Sequence, residues 1–433
     1  MEIVLLGFGV CLILIVIGVP IAMAFGILTL ILLAWSGQDP GYLVEVTYKR
    51  IDTPLLMSVP LFIMFGALLD ATGLARRLID FVNLLIGKFR SGLGAVTVVT
   101  TALFSSISGT DSAAIACIGT VMIPRLVEKG YTRGHATSLV ACSGILGQLV
   151  PPSVPMIFYA IITGNSILGV WFSTIGPAIV IILIYIILNA LMTRKMPLVR
   201  EKPSTSFPDF LKKLKRTGLG SFPVILLPVL IFSSLYTGLI TPTEVACMGA
   251  VYVILMGYCY RALQWSQVKE AMITTAVISG AVTLMFYFTE TTSRILILEG
   301  ITDEMAQFIV DHSPGQAATL LMLNAILLLM GMMMNDLSGT VLSAALLWPI
   351  AEAAGVNPYH FAAITGVNLG LGTVTPPTAP MLFLAGRIGN CAAKDYIRPA
   401  LTLMWVGMLP VLLLTTYWPG LCLFIPRLAG YVY

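Results

Sequence analysis

The sequence predicts an all-α, polytopic membrane protein with an internal duplication, and three observations predict it. Of its 433 residues, 58% are apolar and only 10% charged, and mean hydropathy is +0.96; soluble domains carry about 25% charged residues. Long uncharged apolar runs recur along the whole chain. One ordered pair of motifs also occurs twice, once in each half. With 24 basic and 20 acidic side chains, a soluble protein of this length would lack a polar skin. The soluble-enzyme, disordered and secreted disulfide classes are therefore set aside.

A bilayer core of about 30 Å needs about 20 apolar residues per helix. The first candidate, 3–36, is one long span or two short ones. A break is expected near Gly18-Val19-Pro20, because proline removes a helix donor. Glu2 and the uncharged Ile3–Gln38 lack a signal-peptide layout and read as a membrane anchor. Further spans are expected at 55–70, 78–107, 113–127, 137–163 and 168–192, and after a linker at 220–240, 245–260, 271–290, 318–334, 337–354, 361–385 and 400–425. The linker, Thr193–Arg216, holds eight basic residues (Arg194, Lys195, Arg200, Lys202, Lys212, Lys213, Lys215 and Arg216) against Glu201 and Asp209. It is +6 in a chain of net +4, so the remainder sums to −2. A single basic loop marks the cytoplasmic side; topology explains it better than anionic lipid, and no nucleic acid is expected as a partner.

Other residues exclude chemistry. The seven cysteines form no C-x-x-C pair and lie mostly in apolar stretches, so neither a disulfide framework nor a zinc site is expected. His135, His312 and His360 are not spaced with carboxylates for a metal, and there is no Walker loop or G-x-S-x-G elbow. Thr241-Pro242-Thr243-Glu244 reads as a capped helix start. Glu290, between Thr289 and Thr291, is a weaker functional candidate.

The duplication has two parts. The first half holds Ser105-Ser106-Ile107-Ser108-Gly109-Thr110-Asp111, then Gly147-Gln148-Leu149-Val150-Pro151-Pro152-Ser153-Val154-Pro155-Met156. The second holds Asn335-Asp336-Leu337-Ser338-Gly339-Thr340, then Gly372-Thr373-Val374-Thr375-Pro376-Pro377-Thr378-Ala379-Pro380-Met381. Both read Ser-Gly-Thr followed by G-x-x-x-P-P-[ST]-x-P-M, with 43 residues from Ser108 to Pro151 and 38 from Ser338 to Pro376. Each Pro-Pro interrupts an uncharged run, Thr137–Thr163 or Phe361–Ala385. It disfavours helix before it and deletes two donors. Freed backbone groups cost several kcal/mol each in hydrocarbon, so the break must face protein, water or an ion. A proline kink explains one such motif. Two at matching positions point to the central site of a transporter.

Each Ser-Gly-Thr lies between short apolar segments, 93–107 with 113–127 and 318–334 with 341–354. Each pair reads as a re-entrant hairpin with Ser-Gly-Thr at its tip. Hydroxyl and carbonyl oxygens there suit Na⁺, and the N-termini of half-helices suit a carboxylate. Hydroxyls as helix–helix glue account for single residues but not for the ordered repeat. Asp111 and Asp336 adjoin the tips; a carboxylate within the membrane is costly and usually functional. They can neutralise a cation or take up a proton, and both couplings stay open.

The ordered set Pro60-Leu61-Phe62, Ser108-Gly109-Thr110, Gly130-Tyr131, Pro151-Pro152-Ser153, Thr241-Pro242-Thr243-Glu244, Asn335-Asp336 and Thr375-Pro376-Pro377 resembles the large membrane subunit of tripartite ATP-independent periplasmic (TRAP) transporters over nearly the whole chain. The resemblance implies a multi-pass protein of the bacterial inner membrane with two inverted repeats and an elevator-type transport unit. It implies Na⁺ coupling with two or more sites, a small membrane subunit, a periplasmic substrate-binding protein and an organic-acid substrate. Sialic acid, a C4-dicarboxylate, a sugar acid or a keto acid would fit. Ser108, Gly109, Pro151 and Ser153 would form a first sodium site, and Asp336, Ser338, Gly339, Thr373 and Pro376 a second. Thr110, Asp111, Ser112, Thr340, Thr375 and Thr378 would face the substrate. The first tip departs from the family's frequent S-G-S-G-P or S-G-S-S by carrying Thr110-Asp111-Ser112, and Ser338-Gly339 stands where aliphatic residues or alanine are common. The chain opens directly in the large-subunit pattern, so a separate small subunit is expected.

The implied organisation is scaffold at 1–92, first hairpin and broken helix at 93–165, scaffold with the 193–216 linker at 166–320, second hairpin and broken helix at 321–390, and a C-terminal membrane helix at 391–433. An intramembrane serine hydrolase would need a buried base beside Ser108 or Ser153, and neither segment supplies one. A channel could use the same oxygens but would need no binding protein.

Overall fold

The computed structural model describes residues 2–73, 75–199, 207–237, 240–301, 304, 307, 315–376 and 378–432. Their regular structure is helical. Among the described residues six helices are long and apolar enough to cross a membrane, or seven if the bent pair Ser58–Ala71 and Arg76–Ile86 counts as one.

The N-terminal anchor is two helices, α1 (Glu2–Val16) and α2 (Ile21–Ser36), broken at the expected proline. An amphipathic helix not expected from hydropathy, α3 (Pro40–Ile51), follows; the Asp39 side chain caps it by accepting the Gly41 N–H at 3.0 Å. α4 (Ser58–Ala71) matches the 55–70 span. The 78–107 span is instead two helices, α5 (Ala75–Ile86) and α6 (Gly92–Ser108). The cause is a tight turn: a Cβ on Gly92 would stand 2.7 Å from the Gly87 carbonyl oxygen, and Lys88 and Arg90 place this turn at the polar boundary.

α6 turns at Gly109 (φ +69°) into α7 (Asp111–Glu128), forming the first hairpin. The broken helix follows as α8 (Arg133–Ser143), the short α9 (Leu146–Leu149) and α10 (Val154–Thr163), interrupted at Val150–Ser153 as expected. Within this passage 83% of the most apolar window is buried, against 28–39% for the other single-helix spans. The break therefore lies inside protein, where its loose backbone groups can find partners. α11 (Ile167–Met192) turns Leu183 and Ile187 outward, as a lipid-facing helix does.

Part of the presumed basic loop is helical: α12 (Phe207–Tyr236) begins within it, so Lys212–Arg216 continue a membrane helix rather than a loop. Their 3- and 4-residue spacing is helix-compatible, which hydropathy alone hides. Arg200, Glu201 and Lys202 lie outside the described residues, as do His312 and Pro377. α13 (Pro242–Cys259) starts with the expected cap: Thr241 N–H donates to Glu244 Oε2 at 2.7 Å, and Glu244 N–H to Thr241 Oγ1 at 3.4 Å. α14 (Trp265–Leu298) carries Thr289, Glu290 and Thr291, all buried.

The second hairpin is α15 (Gln316–Met333) and α16 (Asp336–Leu346). Its tip is Met334-Asn335, and Ser338-Gly339-Thr340 lies in the first turns of α16, not at the turn. Asn335 is the better cap, accepting the Ser338 N–H at 2.8 Å, and it starts the helix earlier than the Ser-Gly-Thr pattern implies. Aligned by structure, Thr110-Asp111 matches Asn335-Asp336, each a cap residue followed by an aspartate at the first helical position. In that register both halves place the first proline of the break 40 residues after the aspartate, at Pro151 and Pro376. The unequal 43 and 38 arose from anchoring on Ser-Gly-Thr. The 337–354 span divides at Leu347 into α16 and α17 (Trp348–Ala353), where Pro349 ends the ladder.

The second broken helix is α18 (Pro358–Val374) and α19 (Pro380–Ile388). The 400–425 span is composite: α20 (Ala393–Thr402), a π-helical stretch over Leu403–Met408, α21 (Leu409–Tyr417) and α22 (Pro419–Leu428). Pro399, Pro410 and Pro419 remove donors along it.

The two broken helices run antiparallel. Tyr159, near the end of the first, donates its hydroxyl to the carbonyl of Pro358 at the start of the second, 3.0 Å. Arg133, at the start of the first, donates to the carbonyl of Gly389 just past the end of the second, 3.0 Å. The packing is exchanged to match: α10 lies on α16 of the other half's hairpin, and α19 lies on α7. The halves thus interlock in an inverted arrangement, as the duplication and the resemblance imply.

Candidate functional site

The first hairpin tip closes on the first break. Gly109 turns the chain with positive φ, and its carbonyl accepts the Val154 N–H at 3.0 Å. A Cβ there would stand 3.0 Å from the Pro152 carbonyl oxygen, so glycine is required twice over. The Pro151–Pro152 peptide is cis. Ser108, Gly109, Pro151 and Ser153 are all buried, and the two serine hydroxyls have no hydrogen-bond partner. Orphaned buried hydroxyls are costly; two flanking one junction offer a small cation two oxygens. Sequence reasoning placed these four residues together, and the structure does so.

The freed carbonyls are only partly available. Leu149 C=O accepts from Thr174 Oγ1 at 2.6 Å, and Ser153 C=O accepts from Trp171 Nε1 at 3.1 Å as well as from Ile157 N–H. Both donors project from α11. Neither was singled out from sequence; a tryptophan and a threonine three apart, just after a broken helix, were the available signal.

In the second half, Asp336, Ser338, Gly339 and Thr373 are buried, and Pro376 is half-buried. α15 and α18 cross with almost no gap: a Cβ on Gly372 would stand 2.5 Å from Gly331 Cα. Thr340, Thr373 and Thr375 donate to carbonyls of their own helices, Asp336 at 2.7 Å, Gly370 at 2.9 Å and Leu371 at 2.6 Å. Their oxygen lone pairs remain for acceptance. The break there is marked by Ala379, a buried non-glycine residue at φ +36°. Of the residues expected to face substrate, Thr110 and Thr375 are half-buried, Asp111 and Thr340 buried, and Ser112 and Thr378 exposed outside this enclosed cluster.

The two aspartates meet. The carboxyl groups of Asp111 and Asp336 lie within hydrogen-bonding reach, and Asp336 also accepts the backbone N–H of Asp111. Each sits at the first position of its helix, where the dipole favours a carboxylate. Those two helix starts therefore carry an acid of their own. α10 and α19 have no acid in their first turn. Gln148, passed over in the sequence reading, is fully buried between the halves, with Nε2 3.4 Å from Thr340 Oγ1. Its signal was a lone carboxamide in an uncharged run.

A family model for the DctM component of tripartite ATP-independent periplasmic transporters matches residues 8–421. The chain belongs to this family. It is therefore a multi-pass transporter permease subunit of the bacterial inner membrane, not an enzyme. The DctM-family chain is 30% identical over 419 residues to an isethionate TRAP transporter permease, DctMQ, of Oleidesulfovibrio alaskensis, covering 96% of this chain and 65% of that longer protein. It is 29% identical to the C4-dicarboxylate large permease DctM of Pseudomonas aeruginosa, over 94% of this chain and 93% of that one. A sialic acid large permease, SiaM, of Vibrio cholerae is 28% identical over 94% and 93%. In fold the permease is similar to the YdaH transporter of Alcanivorax borkumensis, at TM-score 0.60 and 15% identity, covering 88% and 89% of the two chains.

Proposed function

We propose that this permease imports an organic acid by Na⁺-coupled secondary transport, moving its interlocked hairpins and broken helices against the remaining helices as an elevator. The observation that carries the reading is the pair of buried, unpartnered hydroxyls, Ser108 and Ser153, where a hairpin tip meets a Pro-Pro break. Ser108 Oγ and Ser153 Oγ, with the carbonyl groups of the break, hold one Na⁺. Asp336, Ser338, Gly339, Thr373 and Pro376 supply the second set. Na⁺ is cargo here and does no chemistry. Thr110, Thr340 and Thr375 face the substrate, and the acid-free N-termini of α10 and α19 offer dipoles to its anionic group. The relatives named for isethionate, C4-dicarboxylates and sialic acid share an anionic group as the common feature of their cargo. A separate or fused small membrane subunit and a periplasmic binding protein complete the transporter.

The basic residues orient it. Arg90 donates to the Arg194 carbonyl, Arg125 pairs with Asp80 at 2.9 Å, and Val199 N–H donates to the Lys129 carbonyl. The open end of the first hairpin and the linker thus share one positively charged face, which the positive-inside rule sets in the cytoplasm.

Uptake into proteoliposomes holding the whole transporter and its binding protein, under separate Na⁺ and H⁺ gradients, tests the coupling. Uptake should follow the Na⁺ gradient. Uptake driven by pH alone would replace sodium with protons, a reading the Asp111–Asp336 contact favours.

A further inference from the structure

We propose that a cleft at the cytoplasmic end of the second broken helix binds the phosphate group of an anionic phospholipid. The proposal goes beyond the transport reading and takes from it only the orientation of the chain. The cleft, about 300 Å³, is lined by Phe383, Gly386, Arg387, Asn390, Cys391 and Tyr396. That is roughly ten water volumes. None of the six belongs to the proposed ion or substrate sets. The walls come from α19, the turn after it and the start of α20. Arg133, at the start of α8, donates to the Gly389 carbonyl in that turn at 3.0 Å. Just before α8, the Lys129 carbonyl accepts the linker's Val199 N–H. The cleft therefore opens on the same basic face as the linker.

Its charge points to an anion. Between 387 and 398 three basic residues, Arg387, Lys394 and Arg398, stand against one acid, Asp395. Arg387 forms no ion pair among the described residues. A guanidinium presents a fork of donors that matches phosphate oxygens. Asn390, left-handed at φ +43°, adds a carboxamide to the wall, and Tyr396 adds a hydroxyl. Gly386 gives the tyrosine its room, since a Cβ there would stand 2.8 Å from the Tyr396 hydroxyl oxygen.

Its polarity separates a lipid from a free phosphate. Phe383 and Arg387 are four residues apart and share one face of α19. Phe383 lies toward the break, and Arg387 toward the cytoplasm. Phe383 is exposed although apolar, and its ring meets that of Tyr396 edge-on at 6.4 Å. Further along the chain, Trp405 and Val406 are exposed as well. A free phosphate would use only the polar end of this cleft. A phospholipid uses both, with its phosphate on Arg387 and its acyl chains on the side of Phe383. Basic pockets between membrane helices on the cytoplasmic side suit such headgroups. Because Arg133 ties the start of the first broken helix to the turn bordering the cleft, a lipid there pins the cytoplasmic ends of both broken helices to the leaflet.

Native mass spectrometry of the purified whole transporter in neutral detergent tests the proposal, with phosphatidylglycerol, phosphatidylethanolamine and inorganic phosphate as probes. Wild type should retain phosphatidylglycerol in preference to phosphatidylethanolamine. Arg387→Ala should weaken that binding about fivefold, the share of one basic residue near an anionic headgroup. Asn390→Asp, which sets a negative charge in the cleft, should weaken it too. Lys195→Ala, which removes a charge from the linker on the same face, should leave it unchanged. All three side chains are exposed, so the variants should fold. Equal binding by wild type and both cleft variants overturns the proposal. So does an equal loss in Lys195→Ala, which makes the attraction a property of the whole face. Inorganic phosphate that raises the melting temperature of wild type but not of Arg387→Ala, with phosphatidylglycerol binding the same in both, makes the occupant a soluble phosphate and overturns the lipid. Binding is read without an ion gradient, so failure of Na⁺ coupling would show separately, as wild-type uptake indifferent to Na⁺.

Discussion

At Ser153 one hydroxyl tests the whole ion proposal. It is buried and unpartnered, so removing it relieves an unsatisfied group and should not destabilise the fold. Ser153→Ala is expected to reach the membrane in normal amount and to lose uptake, with a raised Na⁺ requirement; Asp336→Ala is expected to do the same. Normal uptake by either variant would remove that residue from the site. Gly109→Ala differs because its cost is structural. A left-handed alanine costs roughly 1–2 kcal/mol, and its Cβ would press on the Pro152 carbonyl, 3.0 Å away. Lower thermal stability of the purified protein, alongside lost uptake, is the expected result. The four residues of the first junction were legible because two of them, Gly109 and Pro151, break backbone rules and such rules can be read one residue at a time. Gln148 was not, since a single carboxamide gains meaning only from the helix of the other half that faces it.

Between elements, the decisive contacts are side chain to freed carbonyl. Thr174 on α11 takes the Leu149 carbonyl at 2.6 Å. Thr174→Val keeps the shape and removes that donor, leaving a buried carbonyl short of a partner at a cost of about 1–3 kcal/mol. Differential scanning fluorimetry should show a lowered melting temperature; an unchanged one would mean that another donor or water serves the break. At this scale the sequence reading was good for existence and poor for boundaries. The capping box at Thr241 was legible because its residues are local. The second tip was misplaced because two candidate starts, Asn335 and Ser338, lie three residues apart, and only helix geometry chooses the earlier one.

The proposed elevator requires the whole molecule to let its hairpin unit move past the remaining helices. α4 meets the first tip at Gly66, where a Cβ would stand 2.8 Å from the Ser108 carbonyl oxygen. Gly66→Val therefore wedges α4 away from the tip by pressing on the Ser108 backbone, and it removes no proposed Na⁺ or substrate oxygen. Uptake should fall at least tenfold while Na⁺ still raises the thermal stability of the purified protein. Loss of both would make Gly66 a folding residue, and full uptake would mean that α4 does not track the tip during transport.

By itself the sequence determined the class, the duplication, the positions of both breaks and the meeting of the first hairpin tip with the first break. These follow from charge scarcity, proline and glycine, which act through local backbone chemistry and so are written at their own positions. Tertiary structure decided that the two broken helices run antiparallel, that each half-helix packs on the other half's hairpin, and that Asp111 meets Asp336. Those contacts join residues more than 170 positions apart. No local pattern encodes which of two buried carboxylates faces the other, because that depends on how the interlocked halves exclude lipid from their shared interior.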